Sequence, residues 1–106
     1  MASERQERLL ATLPRWLHER AADLSSEGSA EYAFPASAAQ DVFDALIVAG
    51  IAVLGGDLWK VDSAGFAPCY ESWFSESRNS VDVSERWREF LARIPDDDMY
   101  YVTFIA

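Results

Sequence analysis

Apolar positions recur at helical spacing through the first two dozen residues: Leu9, Leu10, Leu13, Trp16, Leu17 and Leu24. Pro14 falls inside this run, so the segment from Ser3 to about Leu24 is either kinked or restarted as a second piece there. Ser25 to Ala30 reads as a loop, and Glu31 to Phe34 alternates like a short strand stopped by Pro35. A second helix follows. Ser37 and Gln40 fit a capping box, Ala39, Phe43, Leu46 and Ile47 share one face, and Gly50 stands where a left-handed C-terminal residue is wanted.

Ile51 to Leu54 is continuously apolar, as a strand buried on both faces would be. Gly55-Gly56 interrupts it, which predicts a bulge, a positive φ or a close backbone approach. Leu58 to Val61 resumes the strand, Asp62 to Gly65 turns, and Phe66 to Tyr70 returns as an antiparallel partner that Pro68 confines to an edge. Glu71 to Ser80 reads as loop. A third helix is expected from Val83, Trp87, Phe90, Leu91 and Ile94, with Asp82 and Glu85 as caps and Glu89–Arg93 as a pair on the wet side. Met99 to Ala106 is a last strand, apolar enough to lie inside the sheet. The order implies an α+β domain: a small, mainly antiparallel sheet with about three helices on one face. Residues 1–106 form one domain, in which 1–30 supply a helical segment and loop and 34–106 the core.

Charge narrows the partners. Eighteen acids against nine bases leave a net charge of −9, and between Ala21 and Ser77 nine acids face the single base Lys60. Such a surface repels nucleic acid and anionic membranes and attracts a basic protein, although acidity also serves solubility alone. The longest apolar stretch, Ala45 to Leu54, is too short to span a bilayer, and no secretory signal is visible, so the expected compartment is the cytoplasm.

Catalytic motifs are missing. Gly55-Gly56-Asp57 lacks the length and the Lys of a phosphate cradle. His18 sits beside Leu17 as a surface or boundary residue, and Cys69, alone in the chain, reads as packing because it lacks a cationic neighbour. Asp96-Asp97-Asp98 is a solvated loop before it is a cation site, since three successive carboxylates cannot all face one ion. Neither an enzyme, nor a metal, nor a cofactor is expected. Trp16 and Trp87 lie on apolar helix faces and are core by default. Trp59 and Trp73 adjoin Gly-, Asp- or Ser-rich segments and divide between core packing and an interface.

The run Gly50 to Trp59, with Gly55, Gly56 and Asp57 followed by Trp73 within Tyr70-Glu71-Ser72-Trp73, resembles the immunity protein 40 family of bacterial polymorphic toxin systems. The resemblance covers roughly Phe34 to Ile105. It implies an α+β protein that binds and neutralises a cognate toxin encoded beside it, a basic toxin domain on the charge argument. The family pattern has Asp-Asn between that Tyr and Trp, where this chain has Glu71-Ser72, which puts in doubt any role needing an amide there. The partner-binding candidates are Glu71 with Asp96, Asp97 and Asp98, then Trp59 and Tyr70, and last Trp73. Trp73 ranks last because a motif shared by proteins that face different toxins is more often structural; Gly55, Gly56 and Asp57 are expected to shape the fold, since two glycines within a strand otherwise only weaken it, with Asp57 accepting from nearby backbone N–H groups. The competing reading is an acidic adaptor or regulatory domain with a non-toxin partner.

Overall fold

Pro14 divides the N-terminal amphipathic segment into two helices. The computed structural model, which describes residues 2–76, 79–95 and 97–106, places α1 at Glu4–Ala11 and α2 at Arg15–His18. Ser3 caps α1 by accepting from the Gln6 N–H at 3.2 Å, and Glu4 and Glu7 lie in the first turn, where the helix dipole favours anions. Leu9, Leu13 and Leu17, spaced by four, enter the core together. His18 is the expected boundary residue, and its Nε2–H donates to the Leu13 carbonyl at 2.9 Å, beside the proline break. Trp16 corrects the expectation of burial: it is 51% exposed. A helix of one turn has a single inward position, and Leu17 takes it.

The strands are β1 (Ala22–Asp23), β2 (Tyr32–Pro35), β3 (Gly55–Asp62), β4 (Gly65–Phe74) and β5 (Tyr100–Thr103). They form one antiparallel sheet in the order β1-β2-β5-β3-β4. The apolar C-terminal segment therefore lies inside the sheet, as its composition predicts. β4, which carries Pro68, is an edge. Strand alternation sorts the side chains. Phe34, Leu58 and Val102 join the helices in the main core, whereas Ala33, Trp59 and Tyr101 face the other way and pack with Leu24 and Phe66.

α3 (Ala36–Val48) and α4 (Ser80–Arg93) complete the helical layer. α3 starts two residues too early for the expected capping box, because Pro35 provides the extended entry and leaves Ser37 inside the helix. Ser37 Oγ instead accepts from Arg20 at 3.2 Å. Gln40 donates to Asp44 at 2.8 Å and accepts the Trp87 indole N–H at 2.9 Å. Ile47 is exposed, but Ala39, Phe43 and Leu46 are buried as the spacing requires. Gly50, at φ 76°, ends the helix: its N–H donates to Ile47 O and that of Ile51 to Leu46 O, a Schellman closure. That closure ties up Ile51, so Ile51 to Leu54 is an approach to β3 rather than a strand. Within it only Val53 is fully buried.

α4 is capped by Asn79, whose Oδ1 accepts from Val81 N at 2.8 Å, in place of Asp82 and Glu85. Val83, Trp87 and Phe90 fill the core. Glu89 pairs with Arg86 at 2.9 Å, not with Arg93, which reaches across to Glu71 at 3.6 Å. Trp87 is the centre of the helix–sheet layer. It stacks on Phe43 at 4.9 Å and 5°, and lies 5.3 Å from Phe104 and 5.7 Å from Trp73. Such aromatic pairs add about 0.5–1.5 kcal/mol each beyond their burial. Gln6 fastens α1 to the sheet: buried, it donates to Phe104 O at 2.7 Å and accepts from Tyr32 N at 2.9 Å.

Candidate protein-binding surface

The hairpin of β3 and β4 is held by a backbone approach that only glycine allows. A Cβ on Gly55 would stand 2.3 Å from the Trp73 carbonyl oxygen, and one on Gly56 would stand 2.0 Å from that of Thr103. Both glycines have ordinary φ, so the close-approach reading holds and the positive-φ reading does not. The irregularity lies on the opposite strand. Asp57 pairs with Ser72 and Trp59 with Pro68, so Leu58 alone on β3 faces Cys69, Tyr70 and Glu71 on β4. This bulge extends a strand through Glu71 to Phe74, where the polar composition suggested loop.

Tyr70 sits in the bulge at φ 58°, the one non-glycine with positive φ among the described residues, and its side chain is 94% exposed. A bulky residue there is strained by about 1–2 kcal/mol, and an exposed ring gains no core packing in return. Such outliers gather at binding sites. The bulge opens a groove of about 360 Å³ lined by Asp57, Leu58, Trp59, Pro68, Tyr70, Glu71 and Ser72. Three of the sequence candidates, Trp59, Tyr70 and Glu71, and the motif residue Asp57 are thus brought together.

Asp57 departs from the role expected of it. Its carboxylate accepts no hydrogen bond among the described residues. The backbone N–H donates instead to Thr103 Oγ1 at 2.9 Å. Burial pushes its carboxyl above the usual range, with no cation to offset it. Glu31 lies near: desolvation first, and the Asp57 charge in addition, raise its carboxyl, while the Ser29 and Thr103 hydroxyls pull it down. One Glu31 oxygen, Oε2, is buried without a hydrogen-bond partner among the described residues.

The remaining candidates disperse. Trp59 is 8% and Trp73 5% exposed, each with its indole N–H buried and without a hydrogen-bond partner among the described residues. Trp59 still forms groove wall, whereas Trp73 packs on Phe43, Trp87 and Phe90 in the helical core. Glu71 is half-exposed and held by Arg93. Asp97 and Asp98 are exposed at another hollow, with Ser37, Leu91 and Ile94, and Asp97 Oδ1 accepts from Met99 N at 2.9 Å. Asp96 lies outside the described residues. Cys69 is half-buried against the core; the structure places the Lys60 charge near it, contrary to the expected lack of a cationic neighbour, but burial outweighs that charge and raises the thiol.

One surface residue escaped the sequence reading. Phe74 is 66% exposed and borders a hollow with Glu76, Asp82 and Arg86. Taken as strand, β4 puts Trp73 inward and Phe74 outward, an alternation that a loop assignment hides. Among the described residues no group of three or more His, Cys, Asp or Glu could hold a metal ion, and no helix is long and apolar enough to cross a membrane.

A family model described as Immunity protein 40 matches residues 23–105, all but the N-terminal helices and the last residue. No curated protein and no solved structure matches the chain.

Proposed function

This chain belongs to the immunity protein 40 family, and on that footing we propose that it neutralises a bacterial polymorphic toxin by binding it stoichiometrically, without catalysis of its own. The observation that carries the binding surface is Tyr70: a fully exposed aromatic held in a strained backbone, at the edge of the sheet, among carboxylates. Tyrosine offers rigid contact area and one polar group, the properties of an interface hot spot. Phe74 extends the apolar contact along β4, and Glu71, Glu76 and Asp57 give it an acidic surround. Pro68 and the bulge make this edge unsuited to adding another strand, so recognition rests on side chains rather than on β-augmentation.

The partner is a basic toxin domain. With a net charge of −9 the protein gains association rate against such a partner from long-range attraction. The test is to express the C-terminal domain of the neighbouring gene with and without this protein and to count survivors. Survival that depends on this chain, together with a one-to-one complex on size exclusion, supports the reading. Equal killing in both cases sinks it.

A further inference from the structure

We infer that the bulge groove is a receptor for an arginine side chain of the protein partner, with Asp57 as its anion. The inference rests on the protein-binding reading above and names the chemistry recognised at that surface. Two observations converge. Asp57 lines the groove and is the carboxylate there without a hydrogen bond among the described residues, whereas Glu71, also in the lining, is held by Arg93 at 3.6 Å. The walls are flat and largely apolar, formed by Trp59, Pro68 and Tyr70.

A planar cation on an apolar stem fits this combination better than any other natural side chain. Guanidinium stacks on aromatic faces and pairs with a carboxylate through two parallel hydrogen bonds, while its methylenes lie along apolar walls. An ammonium has neither the plane nor the fork. The protein already joins arginine to carboxylate and ring next door, for Arg93 pairs with Glu71 and lies 5.9 Å from the Phe90 ring centre. In the other acidic hollows two of the carboxylates are already engaged. Asp82 accepts from Ser75 and pairs with Arg86, and Asp97 accepts from Met99 N. A docked arginine would also offset the burial that raises the Asp57 carboxyl and the repulsion that Asp57 exerts on Glu31.

The test titrates the full chain with N-acetyl-arginine amide, N-acetyl-lysine amide and the neutral isostere N-acetyl-citrulline amide, following the Trp59 indole and the Asp57, Tyr70 and Ser72 amides by NMR. Saturable shifts with the arginine amide are expected, with citrulline weaker by about tenfold or more, the size of one lost charge-assisted pair, and lysine in between. Asp57→Asn should remove the arginine preference, and Asp41→Asn, the same charge change at an exposed position of α3, should not. Thermal melts establish that both variants are folded, and Tyr70→Ala, which removes one wall at an exposed site, should weaken arginine binding independently. Citrulline binding as well as arginine, an Asp57→Asn variant with the preference intact, equal losses in both Asn variants, or no shift with arginine would each overturn the assignment. The survival assay separates the two levels. If wild type and Asp57→Asn protect equally well, the groove assignment fails and the toxin reading stands; if wild type fails to protect, the toxin reading fails whatever the NMR shows.

Discussion

Replacing Tyr70 by glycine should make the protein more stable and worse at binding. Tyr70 holds φ at 58° with its side chain 94% exposed, so the substitution removes strain and almost no buried surface. The left-handed penalty is about 1–2 kcal/mol for a residue with a Cβ. Glycine gives back about 0.4–1 kcal/mol through the greater freedom of the unfolded chain. The net gain is about 0.5–1 kcal/mol, which for a domain of this size raises Tm by roughly 2–6 °C. Tyr70→Ala is the control: it removes the ring and keeps the strain, so Tm should not rise. Thermal unfolding by circular dichroism reads both. Affinity for the toxin domain, by calorimetry, should fall in both variants by about 2 kcal/mol or more, roughly thirtyfold, if the ring is a hot spot. A lower Tm for Tyr70→Gly would refute the strain argument. A higher Tm with full affinity would leave the strain real and the ring irrelevant to recognition.

Gly56→Ala should cost about 3 kcal/mol or more of stability in urea unfolding, because its Cβ would meet the Thr103 carbonyl at 2.0 Å; Gly50→Ala, strained but with open space around it, should cost only about 1–2 kcal/mol. Burial raises the Asp57 and Glu31 carboxyls above their ordinary values of 3.8 and 4.5, so the stability they contribute is complete below those values and is lost as pH rises through the folded ones. Asp57→Asn should therefore gain stability relative to wild type as pH is raised from about 4 to 7, read as a growing gap in urea midpoint; parallel curves would contradict the raised carboxyl. Gln6→Leu leaves the Phe104 carbonyl and the Tyr32 N–H unpaired and should lower stability by about 2–4 kcal/mol, measured by the same unfolding; an unchanged midpoint would mean that α1 docks by its leucines alone.

The long-range outline of the fold was legible because its signals are strong and local. The spacing Val83, Trp87, Phe90 fixes the inward face of α4, Gly50 marks the end of α3, and Pro68 marks an edge strand, each from a residue whose chemistry allows little else. Cap identity and strand onset were less so. Pro35 pre-empts Ser37 two residues earlier, and Asn79 pre-empts Asp82, because several polar residues near a helix start can each satisfy an N–H and the chain's entry direction chooses among them. Of the site, Trp59, Tyr70 and Glu71 could be named from sequence, but Asp57 could be assigned only to the fold. Whether a carboxylate finds a backbone donor depends on cross-strand register, and register depends on the bulge, for which Cys69-Tyr70-Glu71 carries no glycine signal.

The residues that carry the family resemblance and the residues that form the groove turn out to be two sides of one constraint. Gly55 and Gly56 let β3 approach both the Trp73 and Thr103 carbonyls closely, which locks the Gly56–Trp73 and Asp57–Ser72 pairs. Trp73, packed on Phe43, Trp87 and Phe90, anchors that end of β4 in the helical core. At the other end the pairs Trp59–Pro68 through Asp62–Gly65 close the hairpin. With both ends fixed, the surplus residues of β4 have nowhere to go but outward, and the strand yields at Tyr70. A motif that is structural in its own contacts thereby sets the position of the exposed ring. Changes at Gly55, Gly56 or Trp73 should then disturb binding only through stability, whereas changes at Tyr70 should alter binding while leaving the core intact.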